Sequence, residues 1–239
     1  VLHTRPTGDP KGALITHRNL VSAIACTNVE SVPIDETDVH LSYLPLPHIY
    51  ERVIQSKTFS VGASVGFYQG DPLKLLDDLV ALRPTFFCSV PRVLNKIHDK
   101  IQGGLAQAGG MKAAMFAAGL QAKKEGLARG ELTHWFWDRL LFSKVKAALG
   151  LDRAKFMITG SAPIAPEVLV FFRCVFGFDV FEGYGQTEGC AIATVTASGD
   201  FTAGHVGPPT PGIEMRLEDV PDMGYLHTDN WHGSKFDDE

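Results

Sequence analysis

Six residues near the start of this sequence, TGDPKG at positions 7–12, combine small, hydroxyl and basic side chains as a phosphate-binding loop requires. Glycine allows backbone N–H groups to turn towards phosphate oxygens, and a lysine adds positive charge. Thr7, Gly8 and Lys11 are therefore candidate phosphate ligands. Gly, Asp and Pro are also typical of ordinary turns, so this stretch alone is consistent with a turn that binds nothing.

A second stretch, EGYGQTEG, places an aromatic ring, a hydroxyl and a carboxylate close together in the chain. Tyr184 can stack on a nucleobase, Thr187 can donate a hydrogen bond to a phosphate, and Glu188 offers the hard oxygen ligands that Mg²⁺ prefers. Gly183 and Gly185 flank the tyrosine. Because glycine weakens a strand, the pair is hard to explain by packing alone.

The stretch MITGSAPI predicts a strand that runs into a turn of small residues, after which a helix begins near Pro166. Gly160, Ser161 and Ala162 would let a flat ligand lie against the backbone, and α/β sheets bind ligands at the carboxyl ends of their strands. A tight strand-to-helix turn would have the same composition, so both interpretations stay open.

The stretch LSYLPLPHIYER places His48 after a proline-bracketed turn, at the start of a predicted helix. A histidine there can hydrogen-bond a carboxylate or gate a cleft. The alternative is a histidine that serves only the helix start, bonded to a backbone carbonyl.

Strand and helix patterns alternate along the chain and must position these four stretches. Thr16 is a candidate N-cap for the first helix, and Asp71 precedes a helix that has Pro72 at its first position. The pattern predicts strands at 39–44, 63–68, 85–90, 156–158 and 179–181, and helices at 16–30, 48–59, 72–82 and from 91 onwards. This alternation predicts an α/β fold with a mostly parallel sheet and helices on both faces.

Composition indicates an ordinary globular protein with no sign of a nucleic-acid partner. The net charge is −5 and 45% of the residues are hydrophobic. Four widely separated cysteines, Cys26, Cys88, Cys174 and Cys190, indicate buried free thiols in a reducing compartment. The sequence has neither an apolar run long enough for a membrane span nor a signal peptide.

Residues 96–155 differ in charge from the rest of the chain. They contain 11 Lys/Arg and 5 Asp/Glu, a net charge of +6. Such a segment predicts a surface for an anionic partner, such as CoA phosphates or an anionic membrane, with Lys123, Lys124, Lys144 and Lys146 as its candidate residues. A merely solvated helical face is the alternative. A broad apolar stripe at 132–149 also requires a core to cover it.

The four stretches in this order resemble the adenylate-forming (AMP-binding) superfamily, whose phosphate loop ends in Gly-x-Pro-Lys-Gly and whose adenine and Mg²⁺ motif is YGQTE. Within it, LSYLPLPHIYER, SVPRVLNKI and the helical segment ending in HWFWDRLLFSKVKAALG resemble long-chain fatty acyl-CoA synthetases (long-chain fatty acid–CoA ligases). The stretch GHVGPPTPGIEMRLEDVPDMGY fits the family segment that follows. The resemblance extends from Thr7 to about Asp229.

The resemblance implies an ATP-dependent ligase that activates a long-chain fatty acid as an acyl-adenylate and transfers it to CoA, with Mg²⁺ as cofactor. Thr7, Gly8 and Lys11 would contact the β- and γ-phosphates. Thr187 would contact the α-phosphate, and Glu188 would hold Mg²⁺.

The remaining roles implied by the resemblance concern adenine and the acyl chain. Tyr184, between Gly183 and Gly185, would stack on adenine. The adenine and acyl side would be lined by Gly160, Ser161 and Ala162. His48 would lie near the carboxylate end of the acyl tunnel, so that Lys11, His48, Thr187 and Glu188 form the catalytic set.

The same resemblance predicts the domain organisation. Residues 1–229 would be part of the large adenylation domain, with a helical insertion at about 96–150, and 230–239 would be an acidic tail. The small C-terminal domain with its catalytic lysine is missing from the pattern, so we expect the chain to be inactive alone. The alternative is a truncated, non-catalytic paralogue that binds only nucleotide or acyl ligand. We expect a location on the cytoplasmic side, peripheral to or anchored at the endoplasmic reticulum or another membrane through a preceding segment.

Overall fold

The computed structural model describes residues 2–3, 11–27 and 32–228. Within these ranges the strands are Leu2–His3 (β1), Lys11–Gly12 (β2), Val39–Ser42 (β3), Ser64–Phe67 (β4), Phe86–Ser89 (β5), Phe156–Thr159 (β6), Asp179–Gln186 (β7) and Ala191–Val195 (β8).

The helices of the same ranges cover both faces of the sheet. The α-helices are His17–Cys26 (α1), Ile49–Ser60 (α2), Leu75–Leu82 (α3), Pro91–Gln107 (α4), Gly110–Leu127 (α5), Trp135–Trp137 (α6), Ser143–Ala148 (α7) and Pro166–Phe176 (α8). A π-helical turn, Asp138–Phe142, joins α6 to α7, and short 3₁₀ turns lie at Pro72–Lys74 and Pro221–Met223. None of the helices in the described ranges is long and apolar enough to cross a membrane.

Six strands form one sheet in the order β4-β3-β5-β6-β7-β8. The pairings from β4 to β7 are parallel, and β8 returns antiparallel to β7. β1 and β2 form a separate antiparallel pair. The carboxyl ends of β5, β6 and β7 therefore meet at one edge of the sheet.

Successive residues of the central strands are buried in two different cores. Phe87 and Met157 pack on one face, against α3, α4, α5 and α8. Phe86 and Phe156 face the other side, where their rings stack with centroids 5.3 Å apart and Ile54 of α2 covers them. The predicted α/β architecture, a mostly parallel sheet with helices on both faces, is confirmed.

Two predicted N-cap residues are confirmed in atomic detail. The Thr16 hydroxyl accepts a hydrogen bond from the Asn19 N–H (3.1 Å), and the Asn19 side chain accepts one from the Thr16 N–H (3.0 Å), which closes a capping box. Asp71 Oδ1 accepts from the Leu73 N–H at 2.9 Å and so begins the 3₁₀ turn Pro72–Lys74, which leads into α3 at Leu75, three residues later than the predicted helix start. Helix α1 ends at Cys26, earlier than predicted, and residues 28–30 of that prediction lie outside the described residues.

The prediction that the cysteines are free thiols is also confirmed. All four cysteines are free, and Cys88, Cys174 and Cys190 are buried, whereas Cys26 is half-buried. Burial raises the pKa of Cys174 to about 11, so this thiol stays protonated at neutral pH.

The predicted helical segment lies between β5 and β6, as helices α4 to α7. The apolar stripe at 132–149 is divided between two surfaces: Phe142 is completely buried, whereas Trp135 is 82% exposed. The expectation that a core covers the whole stripe is therefore wrong. The physical reason is that α6 and α7 pack through one side only, where the Trp137 ring lies close to Gly119 of α5.

Lys123 is buried and does not belong to a basic surface. Its Nζ donates to Asp138 Oδ1 at 2.8 Å and to the carbonyl of Leu132, and it lies 5.9 Å from the centre of the Phe142 ring. Including Lys123 in an anion-binding face was therefore wrong. Instead, the lysine joins α5 to the π-helical turn.

Replacing Lys123 by Met should destabilise the protein strongly, because it leaves the Asp138 carboxylate and a carbonyl without their cation. Loss of one partner of a buried ion pair costs about 3 kcal/mol or more. The matched control is Lys124→Met on the exposed side of the same helix, which should change stability by no more than about 0.5 kcal/mol. The measurement is the free energy of urea unfolding. Equal effects of the two variants would contradict the role of the pair.

Candidate functional site

A cavity of about 420 Å³ lies at the carboxyl ends of β6 and β7, between the start of α2 and β8. Volumes of this size are typical of small-molecule sites. The cavity brings together eight residues that the sequence predicted for one site: His48, Gly160, Ser161, Gly183, Tyr184, Gly185, Thr187 and Glu188.

Four predicted site residues are not placed in the cavity. Ala162 is exposed and does not line it, although Ser161 beside it does. Lys11 begins β2, but its side chain lies outside the described part of the chain, as do Thr7 and Gly8. The role of the loop at 7–12 therefore stays a prediction.

The turn after β6 carries backbone strain where it meets the cavity. Ser161 has φ 72°, and Ala191 at the start of β8 has φ 81°. A side chain in this region costs about 1–2 kcal/mol per residue. Such strain is found preferentially at binding and catalytic sites, so these two positions support a functional interpretation of the cavity.

Packing accounts for the glycines on either side of Tyr184, contrary to the expectation from sequence. A Cβ at Gly185 would lie 1.3 Å from the Ala191 carbonyl oxygen, and one at Gly183 would lie 3.2 Å from that of Thr194. β7 continues through both glycines to Gln186 and pairs with β8, with a register shift between Tyr184 and Gly185. The glycines thus permit the hairpin that forms one wall of the cavity.

The hairpin turn presents the polar residues of EGYGQTEG. Cys190 N–H donates to the Thr187 carbonyl at 3.2 Å, which closes the turn between β7 and β8. Tyr184 is 49% exposed at the cavity, and Glu188 is exposed beside it. An aromatic face, a hydroxyl and a carboxylate therefore share one wall.

His48 is the N-cap of α2. Its hydrogen bond differs from the bond to a backbone carbonyl that the sequence analysis gave as an alternative. Its Nδ1 accepts from the Tyr50 N–H at 3.2 Å instead of donating to a carbonyl. In the neutral ring this hydrogen bond assigns the proton to Nε2, which becomes a donor. The imidazole therefore both begins the helix and offers an N–H at the cavity.

Buried apolar side chains form another part of the cavity lining. Side chains of Val53, Ile54, Ile158 and Val195 contribute to it, from α2, β6 and β8, and all four are buried. Tyr50 completes this part: its phenol donates to the Ile158 carbonyl at 3.1 Å, and burial raises the pKa of the phenol well above its usual range. A neutral, hydrogen-bonded phenol leaves this part of the lining suited to hydrocarbon.

Several lining residues were not singled out as site residues, although two of them lie within the quoted stretches. Tyr50, Gln186 and Ile192 line the cavity, but their types are ordinary for a helix and a hairpin. Only the antiparallel return of β8, which the sequence pattern did not predict, brings Ile192 to this position.

The donor set fits a metal ion that arrives with phosphates. No group of three or more His, Cys, Asp or Glu side chains is arranged for a metal among residues 11–27 and 32–228. Mg²⁺ in nucleotide sites is usually held by one or two carboxylates, water and substrate phosphates. The single carboxylate of Glu188 at the cavity meets that requirement.

Sequence comparison identifies relatives with one common activity in their names. The chain is 47% identical over 226 residues to long chain acyl-CoA synthetase 6, peroxisomal, of Arabidopsis thaliana, covering 95% of this chain and 32% of the relative. It is 44% identical to long-chain-fatty-acid–CoA ligase 5 of Rattus norvegicus, covering 94% of this chain and 33% of that protein. The chain thus spans about a third of the length of these relatives.

Solved structures share the fold. The adenylation domain of a carboxylate reductase from Mycobacterium chelonae matches 96% of this chain and 31% of its own, with a TM-score of 0.71 and 22% identity. The corresponding didomain from Segniliparus rugosus, solved in complex with AMP, matches 94% of this chain and 27% of its own, with a TM-score of 0.66 and 25% identity.

A family model described as AMP-binding enzyme matches residues 6–233. Since this range is nearly the whole sequence and contains every element of the cavity, the chain belongs to the AMP-binding enzyme family.

Proposed function

We propose that this chain is the adenylate-binding part of a long-chain fatty acid–CoA ligase, which activates a fatty acid with ATP and transfers the acyl group to CoA. The observation that carries the proposal is the meeting of two different walls in one cavity. The polar residues Tyr184, Thr187 and Glu188 suit a nucleotide, and the buried apolar side chains of α2, β6 and β8 suit an acyl chain. The names of the sequence relatives support this substrate pair.

The first proposed step joins the two substrates at the boundary between the walls. A carboxylate oxygen of the fatty acid attacks the α-phosphorus of ATP, and pyrophosphate leaves. Both reactants are anions, so the site must align them and reduce their repulsion. The Thr187 hydroxyl would donate to an α-phosphate oxygen. The His48 Nε2–H would donate to the fatty-acid carboxylate and hold it in line.

The second proposed step uses the mixed anhydride formed in the first. The sulfur of CoA attacks the acyl carbonyl carbon, and AMP leaves. Tyr184 would keep the adenine stacked during both steps, next to Gly160, Ser161 and Ala162. Lys11, with Thr7 and Gly8, would contact the β- and γ-phosphates before pyrophosphate leaves.

Mg²⁺ would be held by Glu188 together with ATP phosphates, and when bound it would neutralise phosphate charge. The chain's own contribution is one carboxylate at the polar wall, on a turn whose backbone is closed by the Thr187–Cys190 hydrogen bond. We propose the domain assignment in the same terms: residues 1–229 belong to the adenylation domain, and about 96–150 form its helical insertion.

Tyr184→Ala should weaken AMP binding about tenfold or more, because a stacked base contributes about 1–3 kcal/mol. The matched control is Tyr225→Ala, since Tyr225 is 50% exposed, almost equal to Tyr184, and lies outside the cavity lining. Isothermal titration calorimetry measures both affinities. Equal AMP affinity of wild type and Tyr184→Ala would rule out adenine stacking on this residue.

Glu188→Gln should weaken binding of ATP in the presence of Mg²⁺ by about tenfold and leave AMP binding unchanged. The reason is that the carboxylate acts on the metal–phosphate group, which AMP lacks. Chelation of Mg²⁺ should remove the difference between wild type and variant. A loss of AMP affinity as large as that of ATP would show that Glu188 serves the fold of the turn and not the metal.

The activity itself is tested by fatty-acid-dependent release of pyrophosphate from ATP, followed by thioester formation when CoA is added. Saturated fatty acids of increasing chain length should stimulate release in the ligase. Binding of ATP with no turnover for any chain length would favour the alternative, a chain that binds nucleotide or acyl ligand only. Complementation by a C-terminal domain added in trans would argue against that alternative.

A further inference from the structure

An exposed aromatic and basic surface lies on the helical segment, and none of its residues lines the cavity. It consists of Trp135, Phe136, Arg139, Leu140 and Lys144, which line a shallow groove of about 260 Å³. We call these five residues the aromatic–basic patch. Trp135 is 82% exposed, and the other four are exposed as well. Exposed tryptophan next to further apolar side chains is unusual on a protein surface that contacts only water.

The patch lies on α6, the π-helical turn and α7, and packing on the opposite side of this segment holds the patch residues in place. Phe142 is completely buried, and Asp138 is held by the buried Lys123. The Phe136 ring contacts both neighbours edge-to-face, with centroids 5.6 Å from Trp135 and 5.0 Å from Trp137. The aromatic side chains therefore need not be reordered before they contact a partner.

The charge of the patch is positive and uncompensated. Neither Arg139 nor Lys144 forms an ion pair with any carboxylate in the ranges 11–27 and 32–228. The nearby carboxylate, Asp138, is engaged by Lys123 on the other side of the helix. The patch thus carries two unpaired cations on a chain whose net charge is −5, and attraction of an anionic surface to these cations favours one orientation.

We propose that the aromatic–basic patch docks the protein on the surface of an anionic phospholipid bilayer. Trp135, Phe136 and Leu140 enter the interface between headgroups and acyl chains, the depth at which tryptophan is enriched in membrane proteins. Arg139 and Lys144 contact the anionic headgroups with their charged ends. The proposed contact with an anionic surface is thereby assigned to five residues and not to the whole basic segment 96–155.

A second copy of the chain is a poorer occupant of the same surface. In a two-fold symmetric dimer the patch would face itself, which would bring two pairs of unpaired Arg139 and Lys144 side chains together. Like charges across an interface oppose association. A bilayer with anionic headgroups supplies the opposite charge and a place for the aromatic rings.

The test is sedimentation of the protein with vesicles of phosphatidylcholine mixed with phosphatidylserine, and with vesicles of phosphatidylcholine alone. Arg139→Gln/Lys144→Gln should lower the partition coefficient on mixed vesicles about twentyfold, since each cation near such a surface contributes about fivefold. Trp135→Ala should lower it about tenfold. High salt should weaken binding by the wild type and affect the double variant less.

Two matched controls test whether any exposed cation, or any exposed aromatic side chain, would support vesicle binding equally well. Lys96→Gln/Lys100→Gln removes the same charge from exposed positions of α4 in the same segment. Phe67→Ala removes an aromatic side chain that is 71% exposed on β4. Both controls should retain wild-type vesicle binding. Since vesicle binding requires no turnover, its outcome is independent of the proposed ligase activity.

Three results would overturn the proposal. One is absence of binding to mixed vesicles. Another is a loss of vesicle binding in Lys96→Gln/Lys100→Gln as large as in Arg139→Gln/Lys144→Gln, which would assign binding to the whole basic segment 96–155. The third is a concentration-dependent dimer in analytical ultracentrifugation that Trp135→Ala abolishes while vesicle binding is absent, which would assign the patch to a second copy.

Discussion

The close approach of backbones where the carboxyl ends of β6 and β7 meet the amino end of β8 is the constraint on which the site depends. A Cβ at Gly160 would lie 2.9 Å from the Gly183 carbonyl oxygen, and one at Gly185 would coincide with the Ala191 carbonyl. Glycine at these positions permits the close pairing of β7 with β8 and the approach of Gly160 to β7. The cavity then opens between the hairpin and α2, with Tyr184 and Glu188 on its rim.

The same contact explains why the local structure around the candidate site residues differs from the interpretation of the sequence. Tyr184, Thr187 and Glu188 were identified by side-chain chemistry, and the geometry brings them together with His48 and Ser161. The flanking glycines were interpreted as ligand contacts because a strand pattern rarely tolerates them, whereas they serve the pairing of β7 with β8. Continuous apolar runs predicted the central parallel strands correctly, because both faces of these strands are buried.

Long-range contacts account for what the sequence could not provide. Lys123 and Lys124 are adjacent and chemically identical, and only the position of Asp138 and Phe142 across the fold decides which is buried. The apolar stripe at 132–149 likewise gives no indication of which residues meet a core. Composition therefore predicted the positive charge of the segment 96–155. Tertiary packing decides which of its aromatic side chains are exposed, and these lie on one side of the helical segment.

We propose that nucleotide and acyl chain occupy one continuous cavity. It is tested most directly by competition between AMP and a non-hydrolysable mimic that joins a long acyl chain to adenosine through a sulfamate. We expect the mimic to displace AMP completely and to bind more tightly than AMP. Its affinity should also rise as its acyl chain lengthens along Val53, Ile54 and Ile158. Simultaneous binding of mimic and AMP, or an affinity independent of chain length, would contradict it.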